Sequence, residues 1–147
     1  ERLDIELIEQ PLPRSSDSDL CAWPPALRRR VAADESLHDA RDALELARSE
    51  ACGIYNIKLM KCGGISGARR IGAVAESAGL ELMWGCMDES AISIAAALHA
   101  AYASPATRYL DLDGSFDLAS DPARGGFSLR NGALHLTGGP GLGVSLG

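Results

Sequence analysis

Long apolar runs, basic patches and aromatic side chains are all scarce in this sequence. No run of about 18 apolar residues is present, so no membrane-spanning helix is predicted. Aromatic residues make up 5% of the 147 residues and the formal net charge is −6. This composition argues against a nucleic-acid partner, because affinity for nucleic acid comes mostly from Lys and Arg side chains that neutralise phosphates. A small-molecule partner is favoured instead.

Paired cysteines and targeting signals are lacking as well. The four cysteines contain no CxxC pair, and they belong to a chain too long and too apolar to need disulfides for stability: Cys21, Cys52, Cys62 and Cys86. Residues 1–15 have neither the basic start nor the apolar stretch of a secretory signal peptide. We therefore expect free thiols and a cytoplasmic protein.

Five short apolar runs recur at a near-constant spacing along the chain. They occupy residues 3–8, 31–33, 54–60, 80–84 and 108–112. One-sided helical patterns lie between them, and Ser36, Ser66 and Ser90 are placed to begin those helices. Strands that alternate with helices predict an α/β fold with a parallel sheet.

Charged residues follow every one of these strands. They are Glu9, Asp34 with Glu35, Lys58 with Lys61, Asp88 with Glu89, and Asp111 with Asp113. In an open sheet the ligands concentrate at one switch point, whereas in a barrel all strand ends converge on one axis. The pattern therefore predicts a partial (β/α) TIM-like barrel. A complete barrel has eight strands, so about three are expected to be missing, and we interpret the apolar run that opens the chain as a cut end.

The pattern changes in the last part of the chain. Residues 127–136 read FSLRNGALHL, in which Asn131-Gly132 is a strong hairpin signal because both residues tolerate a positive φ. We predict two parts: residues 1–118 form the C-terminal portion of the barrel domain, and residues 119–147 form a segment with a β-hairpin.

Two carboxylates end neighbouring strands. Glu9 and Asp34 would point to the same barrel mouth, and carboxylate oxygens suit a hard cation such as Mg²⁺. The alternative is that Asp34 caps a helix and that Glu9 is solvated in the ordinary way. Spacing alone does not choose between these interpretations.

A lysine lies inside an apolar run. A charge at Lys58 is costly in a core unless it lines a functional cavity, where desolvation and a nearby cation would lower its pKa and make it a usable base. The alternative is a lysine that extends its amine to solvent. Strand alternation predicts that Lys58 and Lys61 face opposite ways.

Four segments in order resemble the enolase superfamily, and within its muconate-lactonising subgroup the dipeptide epimerases of the L-Ala-D/L-Glu type. They are IEQPLP (8–13), AADES (32–36), IKLMKCGGISGARRI (57–71) and LDLDG (110–114). The resemblance covers nearly the whole chain and corresponds to the C-terminal half of such an enzyme. It implies that the N-terminal half is missing, and that the C-terminal segment packs on a capping domain.

The resemblance also assigns roles to single residues. Glu9 and Asp34 correspond to two of three Mg²⁺ ligands, and the third belongs to an earlier strand. Lys58 corresponds to an acid/base lysine with Lys61 in support, and the opposing lysine also belongs to an earlier strand. Asp111 and Asp113 correspond to substrate-binding residues that hold the α-ammonium group, and Met87 is predicted to bind the substrate as well. Asp88 and Glu89 receive no role.

The implied reaction is the Mg²⁺-dependent epimerisation of dipeptides. A 1,1-proton transfer at the carbon beside a carboxylate would pass through an enediolate, which a metal ion stabilises. Another enzyme of the subgroup is the nearest alternative: a cycloisomerase, an o-succinylbenzoate synthase or an N-acylamino acid racemase. The acidic pair at Asp111 and Asp113 argues against these, because their substrates lack an ammonium group. A non-catalytic barrel fragment is the alternative from a different class. The side-chain specificity and the oligomeric state, a homo-oligomer included, stay open.

Overall fold

The computed structural model describes residues 3–147, which form a parallel sheet with helices and a small antiparallel appendage. The sheet has five strands in the order of the sequence, and every neighbouring pair is parallel: β1 (Ile8–Glu9), β2 (Val31–Ala33), β3 (Ile54–Ile57), β4 (Glu81–Trp84) and β5 (Thr107–Leu110). Sequential neighbours joined by helices are the arrangement of a (β/α) barrel wall. The predicted α/β fold is confirmed.

Within residues 3–147, six α-helices connect or flank these strands. Their bounds are α1 (Asp17–Leu20), α2 (Pro25–Arg28), α3 (Ala40–Ser49), α4 (Leu59–Cys62), α5 (Ile65–Ala78) and α6 (Ala91–Tyr102). Asp39 accepts hydrogen bonds from the backbone of Arg41 and Asp42 and so begins α3, while Gly64 precedes α5. The predicted starts at Ser36 and Ser66 were therefore wrong, whereas Ser90 caps α6 through the backbone N–H of Ile92. No helix within residues 3–147 is long and apolar enough to cross a membrane.

The sheet is buried on both faces. One face packs against the helices and includes Tyr55, Ile57, Leu82 and Trp84. The opposite face carries a smaller cluster of Ala32, Ile54 and Met83, with Leu7 and Tyr109 beside it. Because side chains alternate along a strand, residues two positions beyond this smaller cluster project on the same face toward the carboxyl ends of the strands. These positions include Asp34, Asn56 and Asp111.

The C-terminal segment forms two antiparallel pairs. β6 (Ala123–Gly125) pairs with β9 (Val144–Leu146), and β7 (Phe127–Arg130) pairs with β8 (Ala133–Leu136). The turn between β7 and β8 is Asn131-Gly132, with φ of 51° and 78°, which confirms the predicted hairpin.

This segment is attached to the start of α6. Asp121 accepts hydrogen bonds from the Ser90 hydroxyl at 2.8 Å and from the Ala91 N–H at 2.6 Å. Strands β6, β8 and β9 all contact the same helix. The division at residue 118 and the packing of the segment on a capping domain stay predictions.

Candidate active site

The charged residues of the sequence repeat lie at one edge of the sheet, the edge formed by the carboxyl ends of its strands. Glu9 is the last residue of β1. Asp34, Lys58 and Asp111 follow directly after β2, β3 and β5, respectively. Parallel strands end at the same edge, so these side chains start from neighbouring points. The structure therefore assembles the predicted residues into one region.

Asp34 is the centre of a closed polar network. Lys58 donates from Nζ to Asp34 Oδ2 at 2.9 Å, and Lys61 donates from Nζ to Asp34 Oδ1 and, at 2.6 Å, to the Asp34 backbone carbonyl. Asp34 is 7% exposed. These are the only two lysines of the chain, so both of its ammonium groups converge on a single buried carboxylate.

The convergence of the two lysines differs from the sequence prediction. Strand alternation placed Lys58 and Lys61 on opposite faces, but β3 ends at Ile57 and the chain turns into α4 at Leu59. Alternation no longer applies beyond the strand, and the helical turn brings Lys61 back over Asp34. The sequence pattern of an apolar run hid this change because Leu59 and Met60 fit a strand equally well.

The network shifts the pKa of each of its members. At Lys58 burial lowers the pKa, but the hydrogen bond and charge of Asp34, with the charges of Glu9 and Glu35, outweigh burial and raise it above its ordinary value. At Lys61 burial prevails and lowers the pKa. At Asp34 burial raises the pKa, while the two lysines lower it by a larger amount. The sequence predicted a lowered pKa for Lys58, but the side chains of this chain raise it.

Gln10 holds the loops after β1 and β2 together. Its Oε1 accepts the Asp34 N–H at 2.8 Å, and its Nε2 donates to the Leu12 carbonyl at 2.7 Å and to the Ser36 hydroxyl at 2.9 Å. Gln10 itself has a left-handed φ of 34°. The sequence interpretation assigned Gln10 no role, although a glutamine directly after a strand-ending glutamate was a signal available within the IEQPLP segment.

Glu9 and Asp34 form a donor set that fits a hard divalent cation. Both supply carboxylate oxygens, which are the ligands that Mg²⁺ takes in proteins. They lie at the carboxyl ends of the adjacent parallel strands β1 and β2. Asn56 donates from Nδ2 to Glu9 Oε1 at 2.7 Å, which orients that carboxylate. Within residues 3–147 no three His, Cys, Asp or Glu side chains converge as a metal site. A cation held by Glu9 and Asp34 would therefore need a further ligand.

The acidic pair after β5 is open to solvent. Asp111 and Asp113 are exposed, whereas Leu112 between them is 3% exposed. Both carboxylates are therefore open to solvent, separated by one residue in the loop after β5. No Lys or Arg in the described part of the chain forms an ion pair with either aspartate, so both can receive a cationic group.

The loop after β4 is fixed against this acidic pair. The Cys86 thiol donates to the Asp111 carbonyl at 3.2 Å and accepts the Gly114 N–H at 3.3 Å. Burial raises the pKa of this thiol, which keeps it a donor. Glu89 is buried and accepts the Met87 N–H at 3.0 Å and the Ser93 hydroxyl.

These contacts separate the residues of the loop after β4, GCMDES (85–90), by role. Glu89 is a structural residue that shapes the loop, and Met87, 47% exposed, is presented at the surface of the region. Asp88 is exposed. The sequence interpretation gave neither Asp88 nor Glu89 a role. The two residues differ in burial, which a single sequence does not reveal, and both are acidic.

Comparisons with known proteins agree with this geometry. The profile of the family described as enolase C-terminal domain-like matches residues 1–147. An L-Lys-D/L-Arg epimerase from Methylococcus capsulatus is 65% identical over 98% of this chain and 41% of its own length. A hydrophobic dipeptide epimerase from Enterococcus faecalis is 44% identical over 96% of this chain and 40% of its own length. The chain thus spans about two fifths of the curated relatives it matches.

A solved structure gives the same relation in three dimensions. The dipeptide epimerase from Methylococcus capsulatus complexed with Mg and the dipeptide L-Arg-D-Lys superposes with a TM-score of 0.92 at 66% identity. The match covers 95% of this chain and 40% of that one.

Proposed function

The chain belongs to the enolase C-terminal domain-like family, and we propose that it supplies the metal ligands, one acid/base lysine and the substrate clamp of a Mg²⁺-dependent dipeptide epimerase. The observation that carries this proposal is that two different groups of charged residues lie at the same edge of one sheet. The ends of β1 to β3 gather two carboxylates with two lysines, and the ends of β4 and β5 present an unpaired acidic pair.

Glu9 and Asp34 are the proposed Mg²⁺ ligands. Both contribute hard oxygen donors, and Gln10 and Asn56 hold them in place through direct hydrogen bonds. When bound there, Mg²⁺ supplies a Lewis acid that makes the carbon beside the substrate carboxylate acidic enough to lose a proton. The remaining ligand comes from outside the described residues.

Lys58 is the proposed acid/base residue on one face of the substrate carbon. Its side chain is held at 15% exposure by Asp34, in a setting where water is largely excluded. Lys61 contacts both the carboxylate and the backbone of Asp34, which makes it the supporting residue rather than the proton carrier. Epimerisation requires a second acid/base group on the opposite face, and this group is not among the two lysines of the chain.

Asp111 and Asp113 are the proposed clamp for the α-ammonium group of a dipeptide. Two neighbouring exposed carboxylates can both hydrogen bond to one ammonium, and such charge-assisted hydrogen bonds are stronger than neutral ones. Met87 lies in the neighbouring loop and is proposed to contact the substrate beside this clamp.

Dipeptides with basic side chains are the proposed substrate class. The relative at 65% identity is named for Lys and Arg dipeptides, and the net charge of this chain is −6. An excess of exposed carboxylates at the same edge, including Glu35 and Asp88, provides a negative potential that attracts cationic ligands.

We also propose that the active enzyme contains an N-terminal portion in addition to this chain. The chain covers 41% of the epimerase from Methylococcus capsulatus, and the missing metal ligand and the opposing acid/base group would lie in that portion. This chain joined to such a portion is called the complete enzyme. A cytoplasmic location is proposed as well, because all four cysteines are free.

The test is a substrate comparison in the complete enzyme. L-Lys-L-Arg should be epimerised, and its N-acetylated form, which has lost the α-ammonium charge, should be a poor substrate. Exhaustive chelation should abolish both activities. Equal turnover of the free and acetylated dipeptides would instead support an N-acylamino acid racemase. The absence of Mg²⁺ binding and of turnover in the complete enzyme would support a non-catalytic barrel.

A further inference from the structure

We propose that Asn56 is a positioning residue that orients the Glu9 carboxylate for the divalent cation, and that Gly85 is the notch that allows Asn56 to do so. The inference rests on the proposed function, since it assigns a task to a residue beside a proposed metal ligand. It concerns two residues to which the sequence interpretation and the family resemblance assigned no role.

Asn56 is a buried polar residue in the wall of the sheet. It is 1% exposed and lies in β3, two residues after Ile54 and therefore on the same face of the sheet as Ile54. Its Nδ2 donates to Glu9 Oε1 at 2.7 Å. Since β2 lies between β1 and β3 in the sheet, this hydrogen bond ties together two strands that are not neighbours.

Gly85 provides the space that Asn56 occupies. A Cβ atom at position 85 would lie 2.5 Å from Asn56 Oδ1 and 3.0 Å from Nδ2. The backbone of Gly85 is fixed by a hydrogen bond from its N–H to the Ile57 carbonyl at 3.0 Å. Any larger residue would therefore have to displace the amide of Asn56 from Glu9.

The amide of Asn56 has one satisfied end and one unsatisfied end. An ionised carboxylate only accepts hydrogen bonds, so the amide must point its NH₂ group at Glu9. Its Oδ1 is then buried and without a hydrogen-bond partner within residues 3–147. Buried acceptors are normally paired, and an apolar residue of the same size would fill the site without this penalty. The hydrogen bond to Glu9 is what an asparagine offers at this position and an apolar residue does not.

An oriented carboxylate binds a cation better than a mobile one. The Glu9 side chain is exposed in this chain, so without Asn56 it would sample several rotamers. With Oε1 held by Asn56, the remaining lone pairs of the carboxylate keep a fixed direction relative to Asp34. Hydrogen-bond partners of this type change metal affinity by about 10- to 100-fold when they are removed.

The experiment is a metal titration of the complete enzyme by calorimetry, with Mg²⁺ and with Mn²⁺. Asn56→Leu keeps the number and branching of the side-chain heavy atoms and removes the hydrogen bond, and its dissociation constant for the metal should rise by about 10- to 100-fold. Saturating metal should restore most of kcat. The melting temperature of the metal-free protein should not fall, because the variant also removes a buried unpaired oxygen.

Gly85→Ala is the second variant, because it leaves Asn56 chemically intact and should weaken metal binding in the same direction. Gly72→Ala is the matched control. Gly72 is a buried glycine of α5, and an added Cβ there would meet only Leu82 Cδ1, at an ordinary 3.7 Å. Its metal affinity should equal that of the wild type.

The outcomes separate this inference from the proposed function. If the wild-type complete enzyme binds neither Mg²⁺ nor Mn²⁺, the proposed function fails. If the wild type binds metal and epimerises dipeptides while Asn56→Leu and Gly85→Ala bind metal with wild-type affinity, the role of Asn56 is overturned. The role is also overturned if Asn56→Leu lowers only the melting temperature and leaves the affinity unchanged.

Discussion

The two halves of the candidate active site are built in opposite ways. At the ends of β1 to β3, each functional side chain is tied to another functional side chain: Lys58 and Lys61 to Asp34, and Glu9 to Asn56. At the ends of β4 and β5, Asp111 and Asp113 are exposed and have no cationic partner within residues 3–147. The Cys86 thiol donates to the Asp111 carbonyl and makes a long contact of 3.8 Å with Asp113 Oδ1. The first half is closed and the second is open.

The difference follows from the tasks proposed for the two halves. Proton transfer and metal binding depend on groups held in a fixed geometry in a water-poor setting, where electrostatic interactions are strong. A clamp for an ammonium group must stay unpaired until the ligand arrives, since an internal ion pair would compete with it. The structure therefore separates a preorganised chemical half from a receptive binding half on one sheet edge.

The largest effect is expected from Glu9→Gln, which breaks the closed half at the metal. The amide is a poorer ligand than the carboxylate for a hard cation, so epimerisation and the exchange of the α-proton with solvent should both be lost. Metal titration and deuterium incorporation in the complete enzyme measure this. Glu6→Gln, at an exposed position before β1, is the control. Full activity in Glu9→Gln would remove the metal from the mechanism.

Lys58→Met should have the next largest effect. General acid/base groups contribute about 10²- to 10⁴-fold to rate, so epimerisation should fall by at least that amount. Exchange of the α-proton of one epimer with deuterium should survive, because the opposing group acts from the other face. Proton NMR in deuterated water monitors each epimer separately. An active Lys58→Met beside an inactive Lys61→Met would show that the proton carrier is the other lysine.

Asp113→Asn tests the open half and should have a moderate effect. Losing one charge-assisted contact costs roughly 1.5–3 kcal/mol, or about ten- to a hundredfold in kcat/KM toward the free dipeptide. The penalty toward the N-acetylated dipeptide should be smaller, because that substrate lacks the charge. Steady-state kinetics with both substrates give the two ratios. Equal penalties, or a similar loss in the control Asp117→Asn, would contradict an ammonium clamp.

Asp121→Ala should have the smallest effect, and it acts on stability outside the two halves. The backbone N–H groups of Ala91 and Ala123 hold the pKa of Asp121 below its ordinary value of 3.8. Its contribution is therefore present above that pH and is lost as the pH falls through the lower pKa of the folded state. Calorimetry should show a lower melting temperature for the variant at pH 7.

The same comparison at lower pH checks the sign of the Asp121 effect. The difference in melting temperature between the wild type and Asp121→Ala should shrink as the carboxyl becomes protonated. A difference that does not change with pH would mean that the lost contact is not that of a carboxylate. Asp117→Ala, which removes an exposed aspartate, is the control at each pH.

The local sequence determined the elements of the fold and the identity of the charged residues. Apolar runs at regular spacing predicted five strands, although β1 overlaps its predicted run at residues 3–8 only at Ile8. Asn131-Gly132 predicted the hairpin, because turn geometry depends on a short stretch of residues. The position of Glu9, Asp34 and Asp111 after parallel strands also placed them at one edge. These are properties that period and residue type decide by themselves.

The tertiary structure decided which of these side chains meet. Lys61 joins Lys58 at Asp34 because β3 ends early and α4 begins, which an apolar run does not reveal. Asn56 reaches Glu9 from β3 because Gly85 leaves room directly after β4. Glu89 rather than Asp88 is buried, and it accepts a hydrogen bond from Ser93. Contacts of this kind join residues far apart in the chain. They depend on the exact end of a strand and on the space left by a neighbour, and a single sequence carries neither.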